Sequence, residues 1–391
     1  MKQDQNNARI LAGINRAKLV ASLGGPDLLV VATSPHDVFY CSGYKSMGFD
    51  TNPQQRMAVV FHEEDWVLVG PMADCWCAAE AIGSGIRYFG YGTFYFDDRE
   101  AMKQPDIHVE NFRTFDEAVL QAAACLGRTK RRIVTDALTS LPDAFVRLYA
   151  EVQQSPESFT RCRAIKHPLE VAFLRTASIG TEKALSLALA QARAGMTEID
   201  VAASITFEIM RAGLTPGFIV VTSGPRAALA DAYPTTRVLN PGDVVRIDIG
   251  GTFHGYWSDT ARTAVVGEPS SGLTTVFRAT AVGLETARRL ARPGVMTDGL
   301  FREAVAAVCA AGLPDYRRHH VGHGLGIESH EYPTIGPSAG ICLEAGMVIN
   351  LETPYYRPMW GGVMIEDTLL ITDDDAEPLT ELDRGMFIIA G

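Results

Sequence analysis

No run of the 391-residue chain approaches the roughly 18–20 uninterrupted apolar residues that a membrane helix needs. The opening residues, MKQDQNNARILAGINRAKL, are polar and then amphipathic. They lack the apolar run and small-residue cleavage site of a secretory leader, so the expected location is the cytoplasm. Positive charge is in deficit: 35 Lys and Arg against 46 Asp and Glu give a net charge of −11 and a pI near 5.3. That balance argues against nucleic acid or an anionic membrane surface as partner. Cysteines are scattered, and their number, seven, is odd. Only Cys75 and Cys77 lie close together, so a disulfide framework is not expected and a reducing compartment is. The stretch around that pair, CWCAAEAIG, reads more simply as the start of an apolar helix. A glycine-rich phosphate loop is also missing from the first half of the chain.

Apolar residues, in contrast, are plentiful at 47%, and the length suits two domains. Residues 1–158 alternate strand-like runs (DLLVVATS, RMAVVFHE, DWVLVGP, RRIVTDAL) with helical stretches (EAVLQAAACLG, PDAFVRLYAEVQQ). This predicts an α/β domain with a parallel or mixed sheet. The segment QQSPESFTRCRAIKHP marks a break, and a second domain is expected over 159–391. It opens on a long amphipathic helix with Pro168 in its first turn, stopped by Gly195. Inside it, ARAGMTEIDVAASITFEIMRAGL (192–214) echoes ARPGVMTDGLFREAVAAVCAAGL (291–313). Thr197 and Thr297 stand at the expected N-caps of the two helices. Each block is followed by a strand ending in a carboxylate, PGDVVRID at Asp248 and AGMVINLE at Glu352. An offset of about 100 residues is too long for a solenoid unit and predicts two related halves facing a shared centre.

Charged residues inside apolar, strand-like runs need partners, because burying an unpaired carboxylate is costly. Glu352 in VINLETP and Glu366 in VMIEDTLL are such residues; Asp248 in VVRIDIGG stands at the expected end of its strand. With Asp259 in GYWSDTART and His323 in HHVGHGLG, they make a hard, oxygen-rich donor set. Such a set fits a pair of divalent ions, Mn²⁺, Co²⁺, Zn²⁺ or Fe²⁺, better than a thiolate site. Two such ions can share bridging carboxylates and activate water for hydrolysis.

The order Asp, Asp, His, Glu, Glu with these flanking words resembles the pita-bread metallohydrolases, which include aminopeptidase P, prolidases and creatinase. SGPRAALADAYPTTRVLNPGDVVRIDIGG, GYWSDTARTAVVG, HHVGHGLGIESHE, LEAGMVINLETPYY and GGVMIEDTLLIT each resemble a family block. The resemblance implies an α/β N-terminal domain plus an α+β pita-bread catalytic domain with an internal pseudo-twofold repeat. It implies two divalent metal ions, manganese first, held by Asp248, Asp259, His323, Glu352 and Glu366. Glu352 would also accept a proton from water, while His319 and His330 would touch substrate and stabilise the intermediate. His320, next to His319, is expected to point away, as neighbours on a strand do. Tyr355, with Tyr356 and Trp360, is a further candidate for lining the substrate pocket. The implied function is a hydrolase of amide-type C–N bonds, of the Xaa-Pro dipeptidase or aminopeptidase P kind, working as a homodimer on a dipeptide or small molecule.

Two positions depart from the family pattern. Asp231 stands where the family hairpin usually carries a histidine, and is expected to face substrate. Met364 replaces an arginine that braces the metal carboxylates, a role a thioether cannot fill. These departures keep two alternatives open: a small-molecule specialist (ectoine hydrolase, creatinase or dimethylsulfoniopropionate lyase-like), and a non-catalytic binding protein on the same fold.

Overall fold

The computed structural model describes residues 2–25, 28–52, 54–62, 65–83, 85–96, 107–126, 132–149, 151–338 and 340–391. The chain divides into two units, Met1–Arg163 and Ala164–Gly391.

In the first unit the β-branched runs become strands β1 (Leu28–Ala32), β2 (Ala58–His62), β3 (Asp65–Pro71), β4 (Ile86–Tyr91), β5 (Ile107–Phe112), β6 (Arg132–Thr135) and β7 (Val152–Gln154). They form one sheet in the order β5-β4-β3-β2-β1-β6-β7. The β1–β2 and β2–β3 pairs are antiparallel and the outer pairs parallel, so the sheet is mixed, as the α/β alternation predicts. Its helices are α1 (Lys2–Ser22), α2 (Pro35–Ser42), α3 (Met47–Thr51), α4 (Cys75–Ile82), α5 (Phe115–Cys125), α6 (Asp143–Leu148) and α7 (Pro156–Ala164). Helix α5 covers one face, against Leu29, Val31, Ala58 and Val60. Val30, Val59 and Phe61 on the other face are equally buried, which is why these central strands read as continuous apolar runs. Cys75 does begin a helix, and all seven cysteines are free thiols. The stretch PDAFVRLYAEVQQ is not one helix. Its second half is β7, because the open edge of β6 offers a ladder and Val152 pairs with Ile133.

The second unit begins with α8 (Pro168–Gln191), whose start is fixed by Pro168 and by a capping box between His167 and Glu170. It ends at Gln191, before Gly195, which lies in a following turn at φ 89. Helix α9 (Glu198–Arg211) packs on α8, and α11 (Thr297–Ala310) packs on α10 (Ser271–Leu290). Thr197 caps α9 as predicted. Thr297 does not cap α11; it is the helix's first residue, and its hydroxyl accepts the Ile341 N–H at 3.2 Å.

Each helix pair carries a sheet. The first contains β8 (Thr215–Ser223), β9 (Val244–Phe253), β10 (Tyr256–Trp257) and β11 (Thr260–Val266), joined late by β19 (Phe387–Ile389). The second contains β12 (Gly322–Gly324), β13 (Glu331–Thr334), β14 (Val348–Glu352), β17 (Glu366–Ile371) and β18 (Ala376–Pro378). A short hairpin, β15 (Tyr355–Arg357) and β16 (Gly361–Val363), connects β14 to β17. Strand alternation divides the labour. Val245, Ile247 and Ile249 of β9 enter the core with Leu185, Val201, Ile205 and Ile209 of the helices. Ile349 and Leu351 of β14 do the same with Leu284, Ala287, Leu300 and Ala304. The opposite faces of β9 and β14 are thereby left for Arg246, Asp248, Asn350 and Glu352. This is the two-halves arrangement that the sequence echo predicts. Among the described residues, no helix is long and apolar enough to cross a membrane.

A buried ion pair ties the start of this unit to the site. Lys166 Nζ lies 2.9 Å from Glu331 Oε2, with side chains only 1% and 2% exposed. Glu331 also accepts the Ile327 and Glu328 N–H groups, fixing the turn that carries His330. Removing one partner strands a buried charge, so Lys166→Met is expected to cost about 3–5 kcal/mol. Urea unfolding of the variant checks this, and an unshifted midpoint would show that the pair does not hold the turn.

Candidate metal centre

Asp248 lies in the middle of β9, not at a strand end, because β8 and β11 continue the ladder on both sides; it pairs with Val220 and Ala261. Asp259 directly precedes β11. Its neighbour Ser258 is fixed by Thr181, at 2.6 Å, and by the Gly251 backbone. From the other half, Glu352 closes β14 and Glu366 opens β17, and the two stand directly opposite each other in the antiparallel ladder. Like charges so placed destabilise a sheet unless something offsets them. His323 sits in β12 between two glycines that allow close approach of the flanking strands. A Cβ on Gly322 would fall 2.2 Å from the Asn350 carbonyl oxygen, and one on Gly324 would fall 2.3 Å from that of Tyr332.

The strands bring one oxygen each of Asp248, Asp259 and Glu366 within 4.8 Å of one another, all buried. His323 joins them, its Nε2 3.5 Å from Asp259 Oδ2. His323 Nδ1–H donates to the Gly324 carbonyl at 3.0 Å, which leaves the Nε2 lone pair facing the carboxylates. Glu366 is oriented by Asn350, whose amide donates to Oε2 at 3.1 Å. Glu352 is held differently: His320 Nε2 donates to its Oε1, and Arg318 Nη2 lies 3.6 Å from Oε2. Three of the five expected ligands thus form one cluster. His323 adjoins it, and Glu352 faces Glu366 while leaning on His320 and Arg318.

The electrostatics follow from this packing. Burial, with Asp248 and Glu352 close by, pushes the Asp259 carboxyl well above its usual range. Burial and the charges of Asp259, Asp248 and Glu352 do the same to Glu366. Asp248 is raised to about 7 by burial and by Glu352 and Asp231, against the Arg246 cation. Glu352 goes the other way: burial opposes its ionisation, but His320 and Arg318 outweigh it and hold the carboxyl below the ordinary value. His323 is lowered to about 4 by burial and by His330, so its imidazole is neutral near pH 7. Buried carboxylates that repel one another, beside a neutral imidazole with a free lone pair, suit divalent cations. Manganese, cobalt, zinc and iron all fit such donors.

Above the cluster lies a cleft of about 870 Å³. One wall is apolar, from Ile199, Ala202 and Ala203 of α9 and Phe218, Ile219 and Val220 of β8. The other carries Arg318, His319, His320, His330 and Tyr356. Asp231 is exposed at this cleft, and its charge raises both the Asp248 carboxyl and His330, so it stands within electrostatic reach of the cluster. His330 stacks on His323 with centroids 3.8 Å apart. His319 and His320 both line the cleft, contrary to the expectation that His320 turns away. They lie in irregular chain before β12, where the alternation of a strand does not apply. Tyr355 is also corrected. It packs edge-on against Trp360 at 5.8 Å, among apolar side chains, while the next residue of β15, Tyr356, lines the cleft. Of the aromatic trio expected at the pocket, Tyr356 lines the cleft; Arg318 and Asn350 are site residues not singled out in the sequence. Asn350, a polar side chain in VINLE, carried the same signal as Glu352.

Residues 172–373 match metallopeptidase family M24. The chain belongs to that family. It is 30% identical over 307 residues to the Xaa-Pro dipeptidase of Pyrococcus horikoshii, a match covering 75% of this chain and 85% of that one. The prolidase of Pyrococcus furiosus superposes with a TM-score of 0.73 at 27% identity, covering 91% of this chain and 97% of that one. The X-Pro aminopeptidase of Thermotoga maritima gives 0.79 at 21% identity, covering 96% and 99%, a likeness of fold. The chain is therefore a metal-dependent hydrolase with the pita-bread fold. These relatives lend no support to the small-molecule specialist or the non-catalytic binding protein.

Glu366→Gln removes one of several mutually repelling buried charges. It is expected to raise the thermal midpoint in chelator and to abolish most of the stabilisation that a divalent metal ion confers on the native state. Scanning calorimetry with EDTA and with MnCl₂ reads both; a variant less stable in EDTA that keeps the full manganese gain would contradict this account of the cluster.

Proposed function

We propose that the protein is an Xaa-Pro dipeptidase or aminopeptidase P-type enzyme that uses two divalent metal ions, manganese first among them. The observation that carries this reading is the cluster of Asp248, Asp259 and Glu366, whose oxygens lie within 4.8 Å of one another at the floor of a cleft. Asp248, Asp259, His323, Glu352 and Glu366 would hold the ions. Bound there, the ions supply Lewis acidity and lower the pKa of water.

The chain's own groups do the rest. Glu352, kept ionised by His320 and Arg318, is set to accept a proton from the attacking water. The imidazole of His330, its pKa lowered by burial, is neutral and can donate to a developing oxyanion; His319 stands at the same cleft for the same purpose. The apolar wall of Ile199, Ala203 and Phe218 offers a seat for a pyrrolidine ring or an apolar side chain. Asp231 gives the cleft a negative charge for the ammonium of a short peptide. Free thiols and the sequence resemblance support a cytoplasmic enzyme acting as a homodimer.

Manganese-loaded protein should hydrolyse Gly-Pro or Ala-Pro, with tripeptides of the Xaa-Pro-Xaa form separating dipeptidase from aminopeptidase; turnover of neither series would defeat the proposal. Glu352→Gln is expected to lower kcat by about 10²–10⁴-fold, the usual worth of a general base. Asp231→Asn should act mainly on KM for substrates with a free ammonium, and unchanged kinetics would remove Asp231 from recognition.

A further inference from the structure

Arg246 is wholly buried in β9, two residues before Asp248 and on the same face of the strand. A guanidinium has five N–H donors, and all five are engaged here. Nε donates to the Ala227 carbonyl at 3.2 Å, and Nη2 donates to those of Leu229, at 2.7 Å, and Ala230. Nη1 lies 3.5 Å from Asp248 Oδ2 and 3.4 Å from the Met364 sulfur. The ring of Tyr356, a cleft residue, is 5.4 Å from the guanidinium carbon.

Met364 is buried immediately ahead of Ile365 and Glu366, at the position where the resembled family pattern carries an arginine. Its thioether carries no charge and touches Arg246 instead. The positive charge next to Asp248 therefore enters from β9. It lies against Asp248, and its fork grips three carbonyls of the segment that leads into Asp231.

We infer that Arg246 is a positioning residue that joins Asp248 of the metal centre to the 227–230 segment carrying Asp231, with Met364 as the space-filling counterpart of its relocated charge. The inference rests on the metal-centre reading proposed above. Two functions are separable. The charge, 3.5 Å from Asp248 Oδ2, holds that side chain toward the cluster. The planar fork, which lysine cannot reproduce, fixes the segment that presents Asp231.

The test is manganese titration of chelator-stripped protein by calorimetry, with dipeptide kinetics alongside. Arg246→Met should weaken manganese binding about 10–100-fold, the usual loss when a residue supporting a metal ligand is removed. Adding Met364→Arg to that variant should restore binding to the wild-type value, since the cation returns from β17's side. Arg246→Lys keeps a charge and so guards against a methionine variant that does not fold. It should retain manganese binding yet raise KM with kcat unchanged. Manganese binding by Arg246→Met equal to that of the wild type would overturn the inference. So would a charge-swapped double variant no better than the single one, or a lysine variant with wild-type KM. Wild-type protein that binds no manganese would instead defeat the metal-centre reading, a different and distinguishable failure.

Discussion

Four carboxylates share a small buried volume at the junction of the two halves of the C-terminal unit, and their mutual repulsion is the constraint around which the rest is arranged. Asp248, Asp259, Glu352 and Glu366 are each at most 9% exposed. Such a set has a high free energy without cations and a low one with them, because desolvation and repulsion act together on the bare site. The surrounding protein limits the cost selectively. Glu352 receives His320 and Arg318, and Asp248 receives Arg246. Asp259 and Glu366, facing each other across the centre, receive no comparable cation and show the strongest upward shifts.

The neighbouring acid Asp367 shows how the same sheet treats a carboxylate that is not part of the centre. It lies on the opposite face of β17 and is wholly buried between Arg262, Arg288 and Arg384. Arg262 also donates to the Glu366 carbonyl and to the backbone at Leu382 and Asp383, so this cationic cluster supports β17 from behind. Adjacent residues of one strand thus have opposite electrostatic fates, and the alternation of the strand alone separates them.

Much of the centre was legible because charge is conspicuous in an apolar run. Glu352 and Glu366 stood out in VINLETP and VMIEDTLL before any geometry was known. Arg246 in VVRIDIGG meets the same criterion, but a buried arginine is not a metal ligand, and its role shows only in its contacts with Asp248 and the 227–230 carbonyls. The strands of the first unit were readable from β-branched runs, whereas the helix expected across Tyr149 to Gln154 failed, because an open sheet edge overrides local propensity. His320 could not be placed by a strand rule in a segment that is not a strand. Tyr355 and Tyr356 are alike in composition, and only the pairing of β15 with β16 decides which of them faces the cleft.

By itself the sequence determined the kinds of group present, their order and the two-halves plan, because hydrophobic periodicity and misplaced charges are local properties. It also fixed that Asp231 and Met364 depart from the family pattern. The tertiary structure alone decided which charges meet. Glu352 and Glu366 are 14 positions apart yet directly opposed in register, while Arg246 and Met364, 118 positions apart, are in contact. Burial, register and pairwise distance set the electrostatics of the centre, and none of them is a property of any short stretch of chain.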